Sequence, residues 1–249
     1  MRRRTLIWAG AAALVAGAAM AAAIIPAALT AAVANPDRPA ADTARDEARK
    51  PAEVMAFAGI RPGQRVLELI PGGGYFTRLL SGAVGPRGHV TEGIPQLPGA
   101  PDVRARPNGV AVDPHFTNVT EISMTDEALS QVHRVDVVWT SQNYHDLHLD
   151  RFHLDVAGLD RKIYAALKPG GVFFIEDHAA APGSGLRDVN TLHRIDEAAV
   201  IAEVESVGFR LEAKSDLLRN PADDHTLKVY DPAIRGHTDQ MLLRFRKPK

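Results

Sequence analysis

Residues 66–77 of the chain read VLELIPGGGYFT, an apolar run followed at once by three glycines. A short, nearly continuous apolar run is typical of a parallel strand that is covered on both faces. Glycines between a strand and a helix let the backbone bend sharply and let a ligand approach the amides at the helix N-terminus. The segment therefore predicts a strand, a glycine turn and a helix, although a tight turn also needs glycine for geometry alone.

The alternation of strands and helices continues on both sides of this segment. Predicted strands cover residues 65–70, 89–94, 118–122, 135–140, 171–176, 210–217 and 240–246. Predicted helices cover residues 51–60, 75–84, 126–133, 154–167 and 196–207. This order predicts an α/β protein with a doubly wound, mainly parallel, seven-stranded sheet. The last two strands have no helix between them, which predicts an antiparallel closing strand.

The first 34 residues have the composition of an export signal. Three arginines at positions 2–4 precede an Ala-rich stretch with no further charge until Asp37. The triplet at 32–34 has the small-x-small pattern, so we expect cleavage between Ala34 and Asn35. The Arg3-Arg4 pair also resembles a twin-arginine signal. These features predict a periplasmic or secreted protein.

An uncleaved membrane anchor is the alternative for the same residues. Leu6 to Leu29 supplies roughly the 20 apolar residues that a spanning helix needs, with Pro26 as an interruption. In that case only the N-terminal segment contacts the membrane. Residues 35–50 consist largely of Pro, Ala, Asp and Arg, which predicts a solvated linker. The domain itself is expected over residues 51–249.

Charge and cysteine content exclude some classes of partner and some kinds of covalent or metal cross-link. The net charge is −1, and removal of the three arginines of the first 34 residues gives −1 − 3 = −4. Because the rest of the chain has no basic block, nucleic acid is not expected as a partner. The chain has no cysteine, so disulfides and thiolate metal sites are excluded. The sequence does not indicate an oligomeric state.

Residues 68–75 resemble the first motif of the class I S-adenosylmethionine-dependent methyltransferases, which runs acidic-x-Gly-x-Gly-x-Gly at the end of the first strand. Glu68, Gly72 and Gly74 match it, and Ile70 stands at the first glycine. Because a β-branched residue disfavours positive φ, we expect the loop to depart from its usual shape. The branch of predicted exported methyltransferases has acidic-x-x-Pro-Gly-Gly-Gly-aromatic, which residues 68–75 match at every position.

The resemblance to the exported branch extends from about residue 49 to the C-terminus, through residues 168–172, 213–215 and 239–241. It implies a Rossmann-like methyltransferase fold, S-adenosylmethionine as cofactor and a small-molecule acceptor that the sequence does not name. In the family, an acidic residue about 20 positions past the glycines binds the cofactor ribose, and Glu92 is the nearest candidate. The implied cofactor-binding residues are Glu68, Gly72, Gly73, Gly74, Tyr75 and Glu92.

A second group of polar residues follows the predicted strand at 135–140. Asn143, Tyr144 and His145 stand at the carboxyl end of a central parallel strand, where open α/β sheets bind ligands. We predict them as catalytic residues, with His145 as general base, because a neutral imidazole with a pKa of about 6.5 accepts a proton. Residues 176–178 (Glu-Asp-His) end the next strand at the same edge. For both groups, hydrogen bonding within a loop is the alternative.

Three functional hypotheses follow from these residues. The first is methyl transfer from S-adenosylmethionine to a small molecule. The second is an exported, non-catalytic binding module that holds a nucleoside-like or other small ligand, because the cofactor is made in the cytoplasm. The third, a metal-assisted hydrolase, depends on clustered donors at positions 145–153, which also fit a solvated helix start. We therefore predict no metal ligands and favour the methyltransferase.

Overall fold

The computed structural model describes residues 25–95 and 108–249, so most of the predicted export segment lies outside the described residues. No helix in the described part of the chain is long and apolar enough to cross a membrane.

The strands are β1 (Arg65–Leu69), β2 (His89–Ile94), β3 (Val119–Ser123), β4 (Val135–Ser141), β5 (Leu167–His178), β6 (Arg210–Ser215) and β7 (Gln240–Arg246). The α-helices are α1 (Ala27–Val33), α2 (Ala40–Thr43), α3 (Asp46–Arg49), α4 (Pro51–Ala58), α5 (Tyr75–Val84), α6 (Asp126–Ser130), α7 (Val156–Ala166), α8 (Val189–Leu192) and α9 (Glu197–Ser206).

The strands form one mixed sheet in the order β3-β2-β1-β4-β5-β7-β6. The first five strands along the chain pair in parallel, and β7 runs antiparallel to both β5 and β6. This confirms the predicted seven-stranded, mainly parallel sheet with an antiparallel closing strand. The bounds of β2, β7 and α5 are those predicted, whereas β5 begins earlier because Leu167 already pairs with Val135 of β4.

Helices cover both faces of the sheet and give two hydrophobic cores. One core joins α1, α4 and α5 to side chains such as Val137 and Trp139 of β4. The other joins α6, α7 and α9 to the opposite face, which includes Val138 of β4 and Phe173 of β5. Because neighbouring residues of a strand point to opposite faces, a continuous apolar run serves both cores. Burial on both faces of the sheet therefore explains why the strand segments are apolar without alternation.

Residues 35–50 are folded against the domain, so the prediction of a solvated linker is wrong. They contain α2 and α3, and Arg38 is 5% exposed. The Arg38 guanidinium donates two hydrogen bonds to the Asp46 carboxylate at 2.8 and 2.7 Å. Asp46 also accepts a hydrogen bond from the Tyr75 hydroxyl at 2.7 Å. Polar contacts hold this segment, and a search for periodic apolar residues does not detect them.

Helix α1 is also part of the packed domain. Leu29 is fully buried and Ala32 is 4% exposed. A Cβ added to Gly82 of α5 would lie 3.1 Å from the Ala32 Cβ, so the two helices are in close contact. Cleavage after Ala34 would therefore remove a helix that the domain uses. The export segment and its cleavage position stay predictions, but the packed region begins before residue 35.

We expect Leu29→Ala to lower the free energy of unfolding by about 2–5 kcal/mol, because it removes buried methyl groups and leaves a cavity. Urea denaturation followed by circular dichroism measures this change. Leu186→Ala is the matched control, because Leu186 is 48% exposed, and its expected effect is below about 0.5 kcal/mol. Equal effects of the two substitutions would contradict the placement of α1 in the core.

Candidate active site

A crevice lies at the carboxyl ends of β1 and β4, two neighbouring strands of the sheet. After β1 the chain builds outward to β2 and β3, and it then returns to place β4 on the other side of β1. Open α/β sheets bind ligands at such a switch point. The crevice has a volume of about 250 Å³. It is lined by the glycine loop, by the turn after β4 and by residues of α3, β5 and the loop before β7.

The glycine loop keeps positive φ angles even where the sequence has isoleucine. Ile70 has φ +52°, and Gly72 and Gly74 have φ +55° and +78°. The expectation that Ile70 would change the loop shape is therefore wrong at this position. The Ile70 amide donates to the Gly93 carbonyl at 2.9 Å, and its carbonyl accepts from Asn143 Nδ2 at 2.8 Å. These bonds hold a backbone conformation that costs about 1–3 kcal/mol.

The three glycines of the loop have different surroundings. Gly72 and Gly73 line the crevice, and a Cβ added to either would meet no atom within 4 Å. A Cβ on Gly74 would lie 2.6 Å from Val110 Cγ2, so packing requires this glycine. Tyr75 also lines the crevice. Of the predicted cofactor-binding residues, Gly72, Gly73 and Tyr75 therefore lie where a ligand would bind. Gly74 instead packs against Val110 on the protein side of the loop.

Two arginines at the crevice were missed in the sequence analysis. The guanidinium carbons of Arg45 and Arg49 lie 4.6 and 4.5 Å from the centre of the Tyr75 ring. Arg49 donates to Ser141 Oγ at 2.7 Å, and both arginines line the crevice. They belong to the segment that was interpreted as a linker. Their four-residue spacing, which places two side chains on one helical face, is the signal that could have found them.

Glu68 and Glu92 lie beneath the glycine loop and share one hydroxyl group. The Thr77 Oγ1 atom is 2.7 Å from Glu68 Oε2 and 2.8 Å from Glu92 Oε1. One hydroxyl donates one hydrogen bond, so the second contact requires a protonated carboxyl group. Burial raises the pKa of Glu68 to about 8 and also raises the pKa of Glu92. The pair therefore holds a proton at neutral pH.

Neither carboxyl group reaches the crevice, which goes against direct cofactor binding by these residues. Glu92 is fully buried, and Asn108 also donates a hydrogen bond to it. Ribose binding would require this side chain at the crevice. The structure thus gives Glu68 and Glu92 a supporting position under the loop. Residues 96–107, which follow β2 along the chain, lie outside the described residues.

We expect Glu68→Gln to reduce the pH dependence of stability between pH 5 and 8. The folded wild type keeps a proton on Glu68 up to about pH 8, whereas the unfolded chain releases it near pH 4.5. The free energy of unfolding must then fall as pH rises through this window, by about 1.4 kcal/mol for each unit of pKa difference. Urea denaturation at several pH values measures the slope. Glu53→Gln, at an exposed position of α4, should keep the wild-type slope, and an unchanged slope in Glu68→Gln would contradict a proton held by Glu68.

The predicted catalytic residues after β4 point in different directions. The Asn143 amide donates to the carbonyls of Ile70 and Ser141, so it joins the glycine loop to β4 at the crevice. Tyr144 is fully buried in the opposite core, where its hydroxyl donates to Asp160 at 2.8 Å. Burial and this carboxylate raise the pKa of Tyr144. A catalytic role for Tyr144 is therefore wrong for this structure, because its hydroxyl does not face the crevice.

His145 lies beside His178, which lines the crevice, and is held between two carboxylates. Its side chain is 1% exposed, its Nδ1 is 2.7 Å from Asp177 Oδ1, and its Nε2 is 3.3 Å from Asp146 Oδ1. Burial lowers the pKa of His145, but Asp177 and Asp146 raise it more, to about 10. A protonated imidazole cannot accept a further proton. The general-base role stays a prediction that does not fit this charge state.

His178, at the end of β5, is the second imidazole at this edge. It lines the crevice, and its Nδ1 is 2.7 Å from Thr238 Oγ1. Burial lowers the pKa of His178 to about 4. At neutral pH, this ring therefore carries no charge, and it can accept a hydrogen bond. The sequence had placed residues 176–178 at the same edge, as the structure does.

A second cavity of about 340 Å³ adjoins the crevice and has a more apolar lining. Ile70 and Asp146 line both cavities. The second cavity is bordered by side chains from β3 to α7, which include Met124, Leu147 and Phe152. An apolar cavity with a few polar groups is the usual surrounding of a small organic ligand. The two cavities together offer a charged end and an apolar end.

This strand order, with antiparallel β7 and a glycine loop at the end of β1, is the fold of the class I S-adenosylmethionine-dependent methyltransferases. A methyltransferase of this type from Aquifex aeolicus superposes with a TM-score of 0.56 at 16% identity, over 87% of this chain and 97% of that chain. One from Mesorhizobium loti gives 0.53 at 20% identity, over 81% and 99%.

The fold alone does not decide the reaction. The cyclase SpnF is also similar, with a TM-score of 0.55 and 18% identity over 84% of this chain and 81% of that chain. No protein-family model matches the sequence, and no curated protein matches it either. Because identities of this size show only a shared fold, the function has to be argued from the site.

Proposed function

We propose that the protein binds S-adenosylmethionine at the crevice and transfers its methyl group to a small-molecule acceptor. The observation that carries this proposal is the pair of adjoining cavities at the switch point, one polar and one apolar. S-adenosylmethionine has the same division, with a charged amino-acid end and an adenosine end. Its sulfonium lies between the two ends, as Asp146 and Ile70 lie between the cavities.

The polar cavity has groups that fit the amino-acid end of the cofactor. Arg45 and Arg49 supply guanidinium groups, which bind carboxylates with two parallel hydrogen bonds. Tyr75 orients both guanidinium groups through its ring face. Gly72 and Gly73 leave the backbone open to a ligand at the start of α5. Together these groups fit a carboxylate-bearing ligand.

The apolar cavity fits the adenosine end. Met124, Leu147 and Phe152 offer apolar surface to a purine ring. When bound, the cofactor supplies a methyl group on a positively charged sulfonium. The protein's part is then to align donor and acceptor and to exclude water. His178 is a neutral imidazole at the crevice, so its ring can accept a hydrogen bond from the substrate and orient it.

The proposed location is the periplasm or the exterior, with membrane contact only through an uncleaved N-terminal segment. Its support is the composition of residues 1–34. N-terminal sequencing of the protein recovered from periplasm, medium and membranes would separate the cases. A chain found intact in the cytoplasm would contradict the proposal, and a chain found intact in the membrane would favour the anchor.

Transfer of a labelled methyl group tests the proposed reaction. The full chain is incubated with methyl-labelled S-adenosylmethionine and a pool of small molecules, and the low-molecular-weight products are separated. We expect a labelled product together with S-adenosylhomocysteine. Tight binding of the cofactor without any labelled product would favour the non-catalytic binding module. Absence of both binding and product would contradict the methyltransferase.

A further inference from the structure

Three side chains, one of which lines the crevice, bring their donor atoms together. His145, Asp146 and His193 each offer one donor atom, and these atoms lie within 4.8 Å of one another. His145 and Asp146 stand in the turn after β4, whereas His193 follows α8, almost fifty residues later in the chain. The sequence places the first two side by side but gives no sign that His193 joins them. The fold therefore creates a cluster that local spacing does not show.

Two imidazole nitrogens in this cluster are buried and have no hydrogen-bond partner. They are His145 Nε2 and His193 Nδ1. Both nitrogens face Asp146 Oδ1, at 3.3 and 3.5 Å, without the alignment of a hydrogen bond. The side chains of His145 and His193 are 1% and 12% exposed. Buried polar atoms without an aligned hydrogen bond are uncommon, and a bound ion is one of the groups that satisfies them.

The other side of His145 is fixed in the way that metal-binding histidines are fixed. Its Nδ1 is 2.7 Å from Asp177 Oδ1, and its backbone amide donates to Asp177 Oδ2 at 2.7 Å. Asp177 is itself fully buried. A carboxylate on one ring nitrogen sets the tautomer and the ring orientation. The other nitrogen binds a metal ion when the ion displaces its proton. His193 is packed between the rings of His145 and Tyr230.

We propose that His145, Asp146 and His193 bind one divalent transition-metal cation. Two imidazoles and one carboxylate suit zinc, iron and related ions. Magnesium and calcium prefer a shell of oxygen atoms, so they are not expected to compete. Within residues 25–95 and 108–249, this is the one group of three such donors at this spacing.

The proposed ion would lie at the place where the methyl acceptor binds, so its role would be to hold the acceptor. This role rests on the proposed function. Asp146 lines both the polar crevice and the apolar cavity. Three protein ligands leave coordination positions open, and these positions would face the crevice. A small acceptor with a hydroxyl or carboxylate oxygen would bind there. This selects oxygen-bearing acceptors over purely hydrocarbon ones.

Equilibrium dialysis against zinc tests the site without the cofactor. The chelator-treated full chain is expected to bind one equivalent of zinc in the presence of excess magnesium. His193→Ala and Asp146→Asn should each reduce bound zinc to below about one tenth of an equivalent at the same free zinc concentration. The matched control is His115→Ala, which removes an exposed histidine that also lies beside an aspartate, Asp113 at 2.8 Å. This control should keep the full equivalent, and circular dichroism verifies that each variant is folded.

A cysteine in place of His193 identifies the ligand directly. The chain has no cysteine of its own, so any thiolate signal must come from the new residue. With cobalt as the probe, His193→Cys is expected to show a thiolate-to-cobalt charge-transfer band that the wild type and His115→Cys lack. Cysteine is itself a metal ligand, so zinc binding should also persist in His193→Cys.

Two results would overturn the metal site. The first is a wild-type chain that binds no zinc in dialysis. The second is zinc binding that His193→Ala and Asp146→Asn leave unchanged, with no charge-transfer band in His193→Cys. Because S-adenosylmethionine is absent from these experiments, their failure leaves the proposed methyl transfer untouched. Conversely, failure of cofactor binding leaves the metal result standing.

Discussion

Gly72→Arg is expected to abolish S-adenosylmethionine binding, with a loss of affinity on the order of 100-fold or more, which corresponds to about 2.7 kcal/mol. A Cβ added at Gly72 meets no atom within 4 Å, and Gly72 lines the crevice. The arginine would therefore extend into the space that the cofactor needs. Titration calorimetry of the full chain with S-adenosylmethionine measures the loss.

The control for this variant is Gly63→Arg. Gly63 also has a positive φ, +82°, and open space around it. It precedes β1, however, at the end of the strand opposite to the glycine loop. Backbone strain and added charge are therefore similar in the two variants, and only the position differs. If Gly63→Arg lost binding to the same degree, strain rather than occupation of the crevice would be the cause.

Arg194→Met is expected to lower the free energy of unfolding by about 3–5 kcal/mol. Arg194 is fully buried, and its guanidinium lies 2.8 Å from the Asp223 carboxylate, which is 2% exposed. It also donates to the carbonyls of Ala179 and Leu227. Methionine would leave a buried carboxylate without its counter-charge. Chemical denaturation measures the change.

Arg187→Met provides the comparison. Arg187 also pairs with an aspartate, Asp188 at 2.9 Å, but its own side chain is 69% exposed. Exposed ion pairs contribute about 0–1 kcal/mol, so this variant should be close to wild type. A loss of less than about 1 kcal/mol in Arg194→Met would show that the Asp223 pair does not hold the loop before β7 against β5.

The fold could be predicted from the sequence because its signals are local. The apolar runs of β1 and β2 are bounded by glycines and prolines, and the amphipathic pattern of α5 begins directly after the glycine turn. Each signal depends on residues a few positions apart. The antiparallel closing strand followed from the absence of a helix between the last two strands. Because connections between consecutive elements are short, the order of elements along the chain leaves few possible sheet topologies.

The site was harder to predict because its members come from distant segments. Arg49 contacts Ser141 across 92 positions of the chain, and His193 reaches Asp146 across 47. The residues after β4 were found, but their orientations were not. A short 3₁₀ turn starts at His145 and leaves Tyr144 facing the opposite core. Adjacent positions in a turn can face opposite sides of a sheet, and sequence order alone does not say which.

The N-terminal segment shows a different limit. Residues 35–50 lack periodic apolar side chains, so their composition indicated a linker. In the structure, charged side chains such as Arg38 and Asp46 are ordered by one another and by Tyr75. Such contacts depend on partners that the fold supplies from elsewhere. Ile70 is similar, because its unfavourable φ is held by Asn143 and Gly93.

The most direct test of the central claim is a crystal structure of the full chain grown with saturating S-adenosylmethionine. We expect density for the amino-acid end of S-adenosylmethionine beside Arg45, Arg49 and the loop at Gly72, with its adenine in the cavity next to Leu147. Density for the cofactor at any other place would contradict the proposed binding site. So would an empty crevice in crystals grown with S-adenosylmethionine well above the measured dissociation constant.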